Sequence, residues 1–496
     1  MFPECHLQET GFEKAFMMKN KNQNTILVLT VILFAGLLLR LGLLLILNGT
    51  RLQIVDEMHY DGLAVHLVET GDFGYDVEPF VSLRPPLYPW LVSEIYRVFG
   101  VQNYTAVRFV QIFLSLLTVL GVYGLARECG FLSPNASLAA AGIFCFYPSL
   151  VAQNFFILTE TFFTFWLVLV LWAAVRFLRT GSIYAACFCG TFIALGALTR
   201  SILWLSPFPL ALFILFWPNE SPVFTWKRRL AAALALLVFA GVGMAPWMIR
   251  NTRIQKTFVA IDCMSGRNLM MGNYEFTPLY RAWDAISMEP PKDWYSVLKD
   301  DFAQKNPGAS LNPLTQGQKD RLAGEYAKNY MKSHPAQTLE RTGMKALCFW
   351  QLERSIPAGI QRGFWGLDRF EETPRKVLFL AVTCVVMVPF ALLFQFAVFG
   401  VFSLEFKRKT LPQIALLLAV LLYFWALHSL AFAHERYHLP LIPIVVLFAV
   451  SLFQNASAAW TRFRKTPLRW VPAVLLGVAF LTFWCFEVCW AFSPNI

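Results

Sequence analysis

Apolar runs long enough to cross a bilayer recur along the whole of this 496-residue sequence, and they settle the class of fold before any single residue is weighed. A helix rises about 1.5 Å per residue, so a hydrocarbon core of about 30 Å takes roughly 20 apolar residues. Runs of that order fall at 26–48, 105–126, 137–153, 155–175, 183–198, 201–217, 230–248, 376–402, 411–432, 438–454 and 470–491, with the short third to sixth the weakest part of the pattern. A composition that is 57% hydrophobic and only 15% charged is too apolar for a soluble enzyme of this length. In lipid the backbone must satisfy its own hydrogen bonds, which leaves helices as the spanning element here. The expectation is an all-α polytopic membrane protein with about eleven transmembrane helices.

The net charge of +11 points away from nucleic acid once its distribution is considered. Basic residues cluster beside the apolar runs: Arg127, then Arg176 and Arg179, then Lys227, Arg228 and Arg229, then Lys407, Arg408 and Lys409, then Arg462, Arg464, Lys465 and Arg469. With residues 1–25 as a cytoplasmic tail and 26–48 as a signal anchor, every one of these clusters falls on the cytoplasmic side, as the positive-inside rule requires. The other ends of the runs then collect charges of both signs on the external face: Asp56, Glu57, Arg84, Arg108, Glu160, Arg200, Arg250, Glu435 and Arg436. Ionisable groups at a hydrocarbon boundary are costly unless paired or bound to something polar, so this gathering is a candidate site. Arg40, inside the first run, is expected to snorkel outward.

The densest polar stretch is Asp56 to Pro89 in the first external loop, 49–104, which also carries Asp76 and Glu78. Asp56 and Tyr60 are four apart and share a face of any helix there. Arg84 precedes Pro85 and Pro86, which stiffen the chain around its guanidinium. A carboxylate and an arginine on short rigid elements can deprotonate a nucleophile and hold a phosphate; the bland alternative is a solvated acidic loop. Amphipathic helices are expected in this loop.

The division that follows is 26–250 as an N-terminal transmembrane region, 251–374 as an external domain of mixed structure over the site, and 375–496 as a C-terminal transmembrane region. Within 251–374 the stretch KDRLAGEYAKNYMKSHP reads as a helix ended by Pro335. Cys263 and Cys348 both lie there, leaving a disulfide open. His59, His434 and His438 match no metal-ligand spacing, so no metal or other cofactor is expected.

Taken together, DEMHYDGLA, RPPLYP, LTETFFTF, ALTRS, APWMIRN followed by GRNLMMGN, and ERYHLPLIP resemble, in order and spacing, the dolichyl-phosphate-mannose protein mannosyltransferase-like and aminoarabinose transferase-like proteins of the GT-C glycosyltransferase superfamily. The resemblance runs from about Arg40 to Val446 and rests on the set, since each motif alone is weak. It implies a bacterial inner-membrane enzyme that takes a sugar from a polyprenyl-phosphate donor and transfers it, with inversion, to a glycan, lipid or protein acceptor on the external face. By motif position it implies Asp56 as catalytic base with Glu57 beside it, Arg84 on the donor phosphate, Tyr60 and Tyr88 near it, and Arg436 and Tyr437 in the late motif. Arg200, Arg250 and Glu435 join them as candidate substrate-binding residues because they end spans on the same face.

Two other classes compete. A flippase or transporter of lipid-linked sugars should hold its charges near the bilayer midplane and show paired repeats, and neither pattern is visible. A polysaccharide polymerase or ligase shares the donor logic and stays open.

Overall fold

The computed structural model describes residues 11–47, 51–74, 80–217, 223–369 and 371–491; Asp76 and Glu78 lie outside the described residues. In chain order the helices are α1 (Gly11–Ile46), α2 (Val55–Thr70), α3 (Leu87–Phe99), α4 (Tyr104–Cys129), α5 (Pro134–Cys145), α6 (Pro148–Ala152), α7 (Glu160–Thr180), α8 (Ile183–Ala197), α9 (Pro207–Phe216) and α10 (Trp226–Gln255). There follow α11 (Ser265–Met271), α12 (Trp294–Lys305), α13 (Gln316–Ser333), α14 (Pro335–Phe349), α15 (Ser355–Gln361), α16 (Glu372–Ser403), α17 (Leu411–Leu430), α18 (Ile442–Gln454), α19 (Ala456–Lys465) and α20 (Val471–Ala491). Among the described residues there is no β-strand, so the segment 251–374, expected to be of mixed structure, is helical.

Eight helices are long and apolar enough to cross a membrane among the described residues, not eleven. α5 and the Pro148–Phe155 segment pass the same test only as a pair bent by 51°, and Ile183–Ala197 and Ser201–Phe216 are shorter apolar helices. The bend follows from Pro148, whose ring and missing N–H interrupt the run just after α5 ends. At about 1.5 Å per residue, a 15-residue α8 reaches only about 22 Å, less than a hydrocarbon core.

Helix ends sort into two groups. At one, Glu128 at the end of α4 meets Arg176 and Arg179 at the end of α7, Arg228 donates to the Gly181 carbonyl, and Arg462 pairs with Glu405. At the other, the Leu87 N–H donates to the Leu198 carbonyl, Cys263 N–H to Ser82, and Glu160 faces Arg200. Between them the helices pack at close range. Gly400 of α16 is needed where it stands, since a Cβ would sit 1.9 Å from the Phe448 carbonyl of α18, a small-residue contact of the kind that lets membrane helices approach.

Arg40 does not snorkel. It is 1% exposed and donates to the Asn154 side chain, Ser115 Oγ and the carbonyls of Gly36 and Cys145, so hydrogen bonds between helices replace water.

The segment after α10 packs Met270, Met271, Tyr274, Val297, Leu298, Ala323 and Ala327 into a small core that also takes in Phe432, from the turn after α17. It is therefore seated on the end of the helical bundle. Cys263 and Cys348 are both buried free thiols, so the disulfide left open by the sequence does not form.

Candidate active site

The first turn of α2 carries Asp56 and Glu57, where the N-terminal end of a helix favours negative charge. The two carboxylates do different work. Glu57 accepts from the N–H groups of Gln53 and Ile54 at 2.8 and 3.1 Å through one oxygen, and from Ile157 N–H at 2.8 Å through the other. It is 1% exposed and ties α2 to the 157 segment. Burial raises its pKa, and the backbone donors work against that rise.

Asp56 instead accepts from two arginines, one on each oxygen: Arg84 Nη2 at 2.5 Å and Arg436 Nη2 at 2.7 Å. Burial would raise this carboxyl, but Arg436 and Arg84 outweigh it and hold Asp56 well below the usual carboxylate range. Arg436 Nε also lies 3.0 Å from Glu160 Oε1, and Arg200 Nη1 lies 3.4 Å from the same oxygen. The result is one row of alternating charge, Arg84, Asp56, Arg436, Glu160 and Arg200, drawn from four separate parts of the sequence. Aromatic faces line it: Arg84 sits over Tyr60 at 5.4 Å, and Arg200 over Tyr437 at 5.4 Å. Arg84 Nη2 also meets His59 Nδ1 at 3.0 Å. A guanidinium only donates, so that histidine nitrogen accepts and the ring is neutral.

Of the residues expected from sequence, Asp56, Tyr60, Arg84, Arg200, Arg436 and Tyr437 come together here. Tyr88 is fully buried behind Tyr60, its ring 5.2 Å away and its hydroxyl donating to Gln111. Arg250 donates to the carbonyls of Phe73 and Val81 and lies 4.5 Å over Trp247, so it pins the loop between α2 and α3 to α10 rather than facing Asp56. Glu435 points away as well, accepting from Ser355 N–H, Ser355 Oγ and Gln351.

Sequence reasoning missed three nearby groups. Arg267, from the GRN of GRNLMMGN, stacks on Trp294 at 5.0 Å; burial lowers its pKa, with the positive charge of Arg84 adding to the effect. The Asp320 carboxylate is spent on the N–H groups of Gly266 and Arg267. Asp262 is a second carboxyl within the field of Arg84, raised by burial to about 6 while a hydrogen bond with Ser201 opposes the rise. Only the quoted motif around Arg267 offered a signal for any of these. Among the described residues no group of three or more His, Cys, Asp or Glu side chains could hold a metal ion.

Comparison with known proteins places this geometry in context. The chain aligns over 92% of its length with the oligosaccharyltransferase of Archaeoglobus fulgidus in its apo form, covering 55% of that chain, at a TM-score of 0.51 and 16% identity. The same archaeal enzyme in complex with an inhibitory peptide and a dolichol-phosphate gives a TM-score of 0.52 at 15% identity, over 93% of this chain and 55% of that one. This chain shares its fold with that archaeal enzyme. Residues 83–247 match the dolichyl-phosphate-mannose-protein mannosyltransferase family model, about a third of the chain. A stretch covering 43% of the chain is 32% identical, over 226 residues, to an undecaprenyl phosphate-alpha-4-amino-4-deoxy-L-arabinose arabinosyl transferase of Pseudomonas paraeruginosa, and the corresponding enzyme of Pseudomonas aeruginosa strain PAO1 is 30% identical over 225 residues. Each match spans 39% of the relative's own length.

Proposed function

We propose that this protein is a membrane glycosyltransferase that moves a sugar from a polyprenyl-phosphate donor to an acceptor at the external face of a bacterial inner membrane, with inversion and with Asp56 as general base. The observation that carries this reading is Asp56 held between Arg84 and Arg436, at the end of the bundle away from the Arg176 and Arg462 clusters. The positive-inside rule puts those clusters in the cytoplasm and therefore the site outside.

In the reaction the acceptor hydroxyl attacks the anomeric carbon opposite the phosphate, the carbon–oxygen bond to the phosphate breaks, and its electron pair stays on the phosphate oxygen. The hydroxyl proton passes to Asp56. Arginines suit the departing phosphate because each can grip two oxygens at once. Arg84, Arg436, Arg200 and Arg267 are the guanidiniums grouped here, and each phosphate oxygen that engages one of the first two withdraws a partner from Asp56. A carboxylate held by two arginines is a weak base; with one removed its basicity rises, so donor binding readies the base. Glu57 sets the position of the helical turn that carries Asp56, and Tyr60 and Tyr437 flank the arginines. The polyprenyl tail lies in lipid against the apolar helices. The acceptor is a glycan, a lipid or a protein.

Grouping of the charged row at one end of the bundle favours transfer over a flippase, which needs its charges near the midplane. Purified Asp56→Asn protein assayed with labelled donor is the decisive test: donor binding should persist while transfer is lost, and transfer within a few-fold of the unmodified protein would place the base elsewhere. Reporter fusions add a check on orientation, with positions after Arg229 and Lys409 cytoplasmic and positions within 280–340 external.

A further inference from the structure

Lys345 of α14 is 1% exposed and has no carboxylate among its hydrogen-bond partners. Its Nζ lies 2.9 Å from the Leu430 carbonyl, 3.0 Å from Asn273 Oδ1, 3.1 Å from the Gly272 carbonyl and 3.4 Å from the Ala431 carbonyl. Leu430 ends α17, so two of these oxygens belong to carbonyls at a helix C-terminus, where a cation is favoured. The other two lie just after α11. The backbones meet at the same point: a Cβ on Gly272 would be 1.7 Å from the Ala431 carbonyl oxygen, and Asn273 Nδ2 donates to Leu430 at 2.9 Å. From Ala431 only a short turn leads to Arg436, whose guanidinium is on Asp56. His434 in that turn packs against Trp283 at 4.8 Å, and Tyr437 stacks on His428 at 4.4 Å.

The geometry points to Lys345 as a positioning residue whose ammonium fixes the 430–436 turn to the external helices and thereby sets Arg436 against Asp56. The inference rests on the reading of Arg436 given above but concerns a different residue, which touches neither substrate nor Asp56. Three N–H groups meet four oxygens, so the clamp needs the charged form; a neutral amine has two N–H groups and a lone pair facing an oxygen. Burial lowers the Lys345 pKa to about 7, with Arg341 one turn earlier on α14 adding to the fall. The titratable groups next in sequence to its partners are His428, before Leu430, and Tyr274 and Glu275, which follow Asn273. A lysine with a lowered pKa gives up its proton as pH rises through that value, so the clamp is complete below about 7 and weakens above it.

Hydrogen exchange of the full-length protein in lipid nanodiscs, read by mass spectrometry over residues 430–437 and corrected for intrinsic exchange, tests this without any transfer assay. Lys345→Met should raise exchange there on the order of tenfold, the scale of a lost charge-assisted hydrogen bond. Lys345→Arg, which keeps its charge, should restore protection. Between pH 6 and 8.5 the unmodified protein should lose protection in this segment and the Lys345→Arg protein should not. If the two proteins follow the same pH trend, or if Lys345→Met leaves residues 430–437 unchanged, the inference is overturned; the first comparison stands even where the Met variant folds poorly. Transfer assayed in parallel separates the two readings: looser exchange with undiminished transfer supports the clamp and counts against Arg436 as a donor ligand.

Discussion

The two ends of the helical bundle use the same residue types to opposite effect. At one end Glu128 holds Arg176 and Arg179, whose side chains are 45% and 54% exposed. At the other, Asp56 holds Arg84 and Arg436 at 15% and 20%, and the row continues to Glu160 at 2%. The carboxylates are 12% and 25% exposed, so the contrast lies in the arginines: exposed guanidiniums are screened and contribute little, whereas covered ones hold the Asp56 carboxyl well below its usual range. The difference is made by cover. The helices of 251–374, the segments before and after α2 and the turn after α17 close over one end; at the other the arginines stay exposed.

Substitutions at the covered end should break this symmetry most. Asp56→Asn keeps shape and loses the base, so transfer should fall by about a hundredfold or more while donor binding survives; steady-state transfer with labelled donor checks it. Asp56→Glu should recover little, since an extra methylene moves the carboxylate by about an ångström. Next come Arg84→Ala and Arg436→Ala, each expected to weaken donor binding by about 2 kcal/mol or more, measurable by titration with polyprenyl phosphate. Arg84→Lys should fall between, keeping charge and losing the two-pronged grip.

A pH test is subtler. The lowered Asp56 pKa means that its pairing adds stability above the ordinary carboxylate range and loses it only as pH falls through the lowered folded value. The gap in unfolding temperature between the unmodified protein and Asp56→Asn should thus hold steady from pH 7 to 5 and close only in stronger acid. At the exposed end Glu128→Gln should change stability by less than about 1 kcal/mol and leave transfer untouched. A large loss of transfer there would mean that the contrast between the ends is misdrawn.

How far the site was legible depends on what each residue does with its side chain. Asp56 and Arg84 stood out because a charged loop between apolar runs is expensive, and that signal is local. Glu57 carried the same signal yet spends both oxygens on backbone N–H groups, because the first turn of α2 and Ile157 present donors that only folding brings to it. Arg250 looked like a site residue for ending a span on the right face, but its direction along α10 sends it to Phe73 and Val81. Arg267 escaped notice since a lone arginine in a long polar insertion costs nothing until the insertion folds over Arg84.

By itself, then, the sequence determined the class of fold, which end of the bundle collects charge, and the pair Asp56 and Arg84, because hydropathy and charge act through local composition and the demands of lipid on a backbone. The tertiary structure alone decided that Arg436, 380 residues from Asp56, occupies the second oxygen of its carboxylate, that Glu160 and Arg200 extend the row, and that the segment 251–374 is helical and seated on Phe432. It also decided that α5 bends and that α8 is too short to be counted by length as a span. Those outcomes depend on which helix ends meet, and that is set by packing between segments far apart in the chain, for which no local pattern exists to be read.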